Sequence, residues 1–143
     1  MEPRIDKTPV HGMILVVDDD PDLLKMLRRF LGRMLPGAHV LGASDAEHAL
    51  DIMDQHGVDV ILADYRLPRA NGVELLGYLR RHYPQTRRIM LTGDPDDGLA
   101  LTASRDAGTE RFFMKPLDLN ALSRVLEQML RATTVHPSPG AAR

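Results

Sequence analysis

The chain has 143 residues, 43% hydrophobic and 27% charged, with a formal net charge of −2. That balance suits one globular domain with a real core and gives no global pull toward nucleic acid or an anionic membrane. The absence of cysteine excludes disulfides, thiolate metal sites and a cysteine nucleophile, and no apolar run approaches the ~20 residues of a membrane span. The expectation is a soluble cytoplasmic chain that binds neither nucleic acid nor membrane directly. Arg28-Arg29, Arg80-Arg81 and Arg87-Arg88 read as scattered, solvated pairs and not as a basic stripe.

Residues 1–12 mix charge, proline and polar groups without periodicity and are expected to form a flexible lead-in. From Met13 the apolar run MILVV predicts a strand covered on both faces. Behind it, Leu23, Leu27, Phe30, Leu31 and Met34 fall on one helical stripe, with Asp20 as N-cap, Pro21 as first helical residue and Pro36-Gly37 as the stop. HVLGA (His39 to Ala43) predicts a second strand. Ser44 with Glu47 then reads as a capping box for a helix that turns Ala46, Ala49, Leu50 and Met53 inward and closes at Gly57.

VDVILA (Val58 to Ala63) predicts the third strand, ending at Asp64; the loop YRLPRANG leads to a helix with Val73, Leu76 and Leu79 on one face. RRIML (Arg87 to Leu91) is the fourth strand and ends at Thr92. Asp94-Pro95 repeats the cap-then-proline signal before an alanine-rich fourth helix that runs to Ala107. RFFM (Arg111 to Met114) is the fifth strand, ending at Lys115-Pro116, and the last helix turns Leu119, Leu122, Val125, Leu126 and Met129 inward. Residues 132–143 read as a tail or truncated linker, which leaves a single domain over 13–131. Five strands alternating with five helices imply an α/β, doubly wound, parallel sheet with right-handed crossovers and helices on both faces.

In open parallel sheets, ligands sit beyond the carboxyl ends of the strands. The residues at those ends are Asp18, Asp19 and Asp20 from the first strand, Asp64 from the third, Thr92 from the fourth and Lys115 from the fifth. Two carboxylates 4 Å apart repel by roughly 4 kcal/mol at an effective dielectric near 20, so the acidic cluster needs compensation. Carboxylate oxygens suit a hard cation, a lysine and a threonine suit the oxygens of a phosphoryl group, and a carboxylate can itself become an aspartyl phosphate. Asp20 is accounted for by helix capping; Asp18 and Asp19 are not.

The segments ILVVDDD, VDVILADYRLPRANG, IMLTG and FFMKP, in this order and spacing, resemble the receiver domain of two-component response regulators from Met13 to Arg131. The resemblance implies a (βα)5 flavodoxin-like sheet with strand order 2-1-3-4-5. It implies that Asp64 is the phosphoacceptor, and that Asp18, Asp19, Asp64 and the backbone carbonyl of Arg66 bind Mg²⁺ or Mn²⁺. Thr92 and Lys115 would contact the phosphoryl group, and Thr92 with Phe112 would form the switch. A cis peptide before Pro116 is also common in the family. The implied partners are a sensor histidine kinase or histidine phosphotransfer protein, and a second copy docked through the face made by the fourth helix, fifth strand and fifth helix (α4-β5-α5). The implied role is a phosphoacceptor and not an enzyme in its own right, assisting only its own phosphorylation and slow dephosphorylation.

LPRANG departs from the methionine and acidic residue that family members often carry before the glycine, but Asn71 with Glu74 still reads as a helix cap. Arg66 and Asp94 lie two residues past Asp64 and Thr92, and we expect an ion pair between them across the rim of the site. Two rivals remain open. One is a pseudo-receiver that acts as an interaction module without phosphorylation. The other is a haloacid-dehalogenase-like phosphatase that uses Asp18 as nucleophile with Asp20, although position 22 is Asp where that motif has Thr or Val.

Overall fold

A computed structural model describes residues 8–93, 102, 105 and 108–133. Seven strands are described: β1 (Gly12–Val17), β2 (Ala38–Ala43), β3 (Val60–Asp64), β4 (Arg66–Leu67), β5 (Ala70–Asn71), β6 (Arg87–Thr92) and β7 (Arg111–Met114). The helices are α1 (Pro21–Met34), α2 (Ala46–Gln55), α3 (Gly72–His82) and a last helix, Leu119–Thr133. The fourth helix expected from Asp94 to Ala107 lies outside the described residues except for Thr102 and Arg105, which are both helical.

The main sheet has five parallel strands in the order β2-β1-β3-β6-β7, which is the 2-1-3-4-5 order once only the five predicted strands are counted. Side chains alternate across it with the period of two that a pleated strand imposes. Ile14, Val16, Val60, Leu62, Ile89 and Leu91 pack toward α1 and the last helix. Leu15, Val17, Ile61, Ala63 and Met90 pack toward α2 and α3. Both faces are therefore covered, which is why these strands read as unbroken apolar runs.

The local signals at helix starts hold at two of three sites. Asp20 accepts from the N–H groups of Asp22 and Leu23 with Pro21 opening α1, and Asn71 accepts from the Glu74 N–H at 2.9 Å. The capping box of α2 is displaced by one residue. Asp45, not Ser44, caps it, through a 2.7 Å bond from the His48 N–H. The apolar stripe of α1 also ends differently, since Met34 is 48% exposed whereas Leu35, at the C-cap, is buried in the core. The chain turns at Leu35, so the inward position passes to the residue just beyond the last helical one. At the other end, Val10 is buried in the core and Gly12 belongs to β1, although both fall in the expected lead-in.

The structure departs from the sequence expectation of a loop after Asp64 and of a solvated Arg88. The segment after Asp64 is a two-stranded antiparallel ribbon, β4 with β5, pairing Arg66 with Asn71 and Leu67 with Ala70. Arg88 is half-buried, and its guanidinium donates to the carbonyls of Thr86, Gly108 and Pro84 at 2.6, 3.0 and 3.4 Å. Burial lowers its pKa below the ordinary arginine value, and the neighbouring charge of Glu110 opposes that shift.

Candidate functional site

β1, β3, β6 and β7 deliver Asp18, Asp64, Thr92 and Lys115 to one edge of the sheet, as their places at the strand ends predict. Lys115 is the centre of the arrangement. Its Nζ donates to Asp18 Oδ2 at 2.6 Å and to Asp64 Oδ2 at 3.0 Å. Its own N–H donates to the Thr92 carbonyl at 2.8 Å, which ties it to the end of β6. The Lys115–Pro116 peptide is cis.

Asp18 is 0% exposed, and both of its carboxylate oxygens are engaged, Oδ2 by Lys115 and Oδ1 by the Asp20 N–H at 2.9 Å. The backbone N–H of Asp18 donates to the Ala43 carbonyl of β2 at 3.0 Å. Asp64 and Thr92 are also buried, and Asp64 Oδ1 accepts from the Arg66 N–H at 3.4 Å. Burial raises the Asp64 carboxyl above the usual carboxylate value. The Asp18 charge acts in the same direction, while Lys115 and the Arg66 N–H oppose it. Burial disfavours the Lys115 ammonium too, but the two carboxylates outweigh that cost and hold its pKa above the ordinary lysine value.

Asp19 is exposed and joins the pair. Asp18, Asp19 and Asp64 each offer a carboxylate oxygen, and these oxygens lie within 4.8 Å of one another. At an effective dielectric near 20, that spacing means roughly 3–4 kcal/mol of repulsion for each fully charged pair. Three carboxylates against the single ammonium of Lys115 leave two formal negative charges at the sheet edge (−3 + 1). A hard, all-oxygen donor set with that residual charge fits a divalent cation such as Mg²⁺.

Phe112 is half-buried and packs with the α2–α3 core, paired in register with Met90. The Arg66 guanidinium lies over the Tyr65 ring, 6.0 Å from its centroid. Asp94, and with it the expected Arg66–Asp94 pair, lies outside the described residues. One ion pair near the site was not anticipated, Arg69 with Asp45 at 3.4 Å. Pro68 before Arg69 marks a turn, but the partner lies 24 residues away and no local signal names it.

The chain matches the response regulator receiver domain family over residues 14–127. It belongs to that family. Among curated relatives, the receiver domain is 33% identical over 117 residues to the response regulator protein PilR of Pseudomonas aeruginosa. It is 34% identical over 118 residues to the transcriptional regulatory protein CpxR of Escherichia coli K12. Each match covers 82% of this chain, but the chain spans only 26% of PilR and 49% of CpxR. Among solved structures, it is similar to the signal receiver domain of an HD domain-containing protein from Pseudomonas fluorescens Pf-5. That match has a TM-score of 0.81 and 31% identity, and covers 88% of this chain and 99% of the other. A CheY-like receiver domain protein from Methanospirillum hungatei JF-1 aligns with a TM-score of 0.79 and 28% identity, covering 85% and 95%. Among the described residues, no helix of this receiver domain is long and apolar enough to cross a membrane.

Proposed function

We propose that this receiver domain accepts a phosphoryl group from a phosphohistidine donor onto Asp64, and that the resulting aspartyl phosphate switches a surface read by a partner or output domain. The observation that carries the reading is the Lys115 ammonium, held between Asp18 and Asp64 and tied by its backbone to Thr92. In the transfer, an Asp64 oxygen attacks phosphorus, the phosphorus–nitrogen bond breaks and the imidazole leaves. In the transition state of that displacement, charge spreads over the three equatorial oxygens. Lys115 supplies a positive charge beside them, and the Thr92 hydroxyl donates to one of them after transfer. Asp18, Asp19, Asp64 and the Arg66 carbonyl would hold Mg²⁺ or Mn²⁺, which supplies further positive charge at the phosphoryl oxygens.

Asp18 is the poorer nucleophile of the two buried acids. It is 0% exposed against 7% for Asp64, and its oxygens are held more tightly, at 2.6 and 2.9 Å against 3.0 and 3.4 Å, which argues against the phosphatase reading. Phosphorylation would draw Thr92 toward the new phosphate and let Phe112 turn inward, changing the face on which β7 and the last helix lie. A sensor histidine kinase or phosphotransfer protein is the proposed donor, and a second copy a proposed partner through that face. The domain is a phosphoacceptor whose only chemistry is on itself. The test is intact-protein mass after incubation with acetyl phosphate and Mg²⁺. We expect one added phosphoryl group on the parent and none on Asp64→Asn. No addition to the parent would instead favour a phosphorylation-independent interaction module, and addition that survives in Asp64→Asn but not in Asp18→Asn would favour the phosphatase.

A further inference from the structure

Arg69 occupies the turn of the β4–β5 ribbon directly after Pro68, with φ at +60°. A proline followed by a residue of positive φ is the pattern of a type II turn, where glycine or asparagine is the usual second occupant and an L side chain with a long stem is disfavoured. The side chain has a use, however. It extends to Asp45, where its Nη2 donates to Oδ2 at 3.4 Å, while the other Asp45 oxygen caps α2 through the His48 N–H.

The two residues belong to the loops that follow β3 and β2, and β1 lies between those strands. The pair therefore spans the loop that carries Asp18 and Asp19, which is itself bonded to β2 through the Ala43 carbonyl. It does so on the side covered by α2 and α3, where Leu67 of the ribbon belongs to the same buried cluster as Ala43 and Ala49. Arg66, at the other end of the same ribbon, donates its N–H to Asp64.

We propose that the Arg69–Asp45 pair is a strap that holds the β4–β5 ribbon against the N-terminus of α2, making both residues positioning residues for divalent-cation binding at the acidic cluster. The effect is transmitted through the Arg66 backbone, and the inference rests on the reading of Asp18, Asp19, Asp64 and the Arg66 carbonyl as cation ligands. Arg69 is 77% exposed in its side chain and Asp45 25%, so the pair adds little to global stability. Its influence falls on a local equilibrium, because cation affinity scales with the fraction of molecules whose ribbon is in the competent position.

The test is calorimetric titration of the full chain with MgCl₂ and MnCl₂, using Arg69→Ala, Asp45→Asn and the double variant, with thermal melts alongside. Asp45→Asn keeps a good N-cap and removes only the charge. The strap predicts that each single variant weakens cation binding, by about two- to fivefold, and that the double variant is no weaker than either. Simple long-range charge predicts opposite signs for the two single variants. Removing the cation of Arg69 should then tighten binding, removing the anion of Asp45 should weaken it, and the two should cancel. Opposite signs, or no change in either variant, overturn the strap. Arg69→Gly separates positioning from structure: it should melt above Arg69→Ala, because the left-handed turn is relieved, yet bind the cation just as weakly. If the unsubstituted chain binds neither cation, the ligand reading fails and takes the strap with it. If it binds and the variants respond with opposite signs, the strap alone fails.

Discussion

Gly72→Ala should move the end of β3 and with it Asp64. Gly72 is the first residue of α3, and its N–H donates to the Tyr65 carbonyl at 2.8 Å. A Cβ built there would stand 2.5 Å from the Asp64 carbonyl oxygen, 2.9 Å from Met90 Sδ and 3.1 Å from the Asp64 carbonyl carbon. Met90 has a flexible side chain that can yield, but the Asp64 carbonyl is backbone. To reach even 3.0 Å it must retreat by 0.5 Å (3.0 − 2.5). Overpacking of this kind costs about 1–3 kcal/mol. Alanine recovers up to ~1 kcal/mol through lower chain entropy and better helix propensity, so the net expectation is a loss of about 1–2 kcal/mol. The residue displaced carries the proposed nucleophile, so phosphorylation by acetyl phosphate should slow by more than the fall in folded population explains. Urea melts and the initial rate of mass gain would measure the two effects. A variant as stable as the parent and phosphorylated at the parent rate would refute the reasoning, because it would mean that α3 can lift off β3 without disturbing Asp64.

Lys115→Met removes the ammonium between Asp18 and Asp64. It should destabilise the cation-free chain by about 1–3 kcal/mol, a figure reduced from the fully buried case because Lys115 is 26% exposed. The two carboxylates hold the Lys115 pKa above the ordinary lysine value, so the stability it confers is complete below that ordinary value and lost as pH rises through the higher folded one. Melts of parent and variant should therefore converge in alkali. Thr86→Val deletes the buried hydroxyl that donates to the Val58 carbonyl at 2.7 Å. The expected cost is ~1–2 kcal/mol in a urea melt, with the phosphorylation rate of the folded protein unchanged. Arg88→Met, which strips three carbonyls of their guanidinium donor, should cost ~1–3 kcal/mol by the same measurement.

Much of this protein is written locally. The five apolar runs, the caps Asp20 and Asn71 with their hydrogen bonds, and the identity of the residues at each strand end follow from interactions within a few positions of one another. Such interactions leave a periodicity or a spacing that can be read without the fold. The errors are local too, and small. Ser44 and Asp45 are both good caps, and only the path of the chain into α2 decides between them. Met34 and Leu35 are both apolar, and the point at which α1 stops decides which one is buried.

Tertiary structure decided what the strand ends do together. Lys115 meets Asp18 across 97 positions and Asp64 across 51, separations that leave no local pattern. The strand order made those meetings possible by setting β1, β3 and β6 side by side with β7 beyond them. The pleat then supplied the direction. Asp18, Asp64 and Lys115 each lie two residues beyond a side chain, Val16, Leu62 or Phe113, that packs toward α1 and the last helix, so they leave their strands on the same side. The ribbon after Asp64, the Arg69–Asp45 pair that crosses the acidic loop and the burial of Arg88 arise in the same way. Each depends on which loops the sheet makes neighbours, and that is a property of the assembled fold and not of any segment within it.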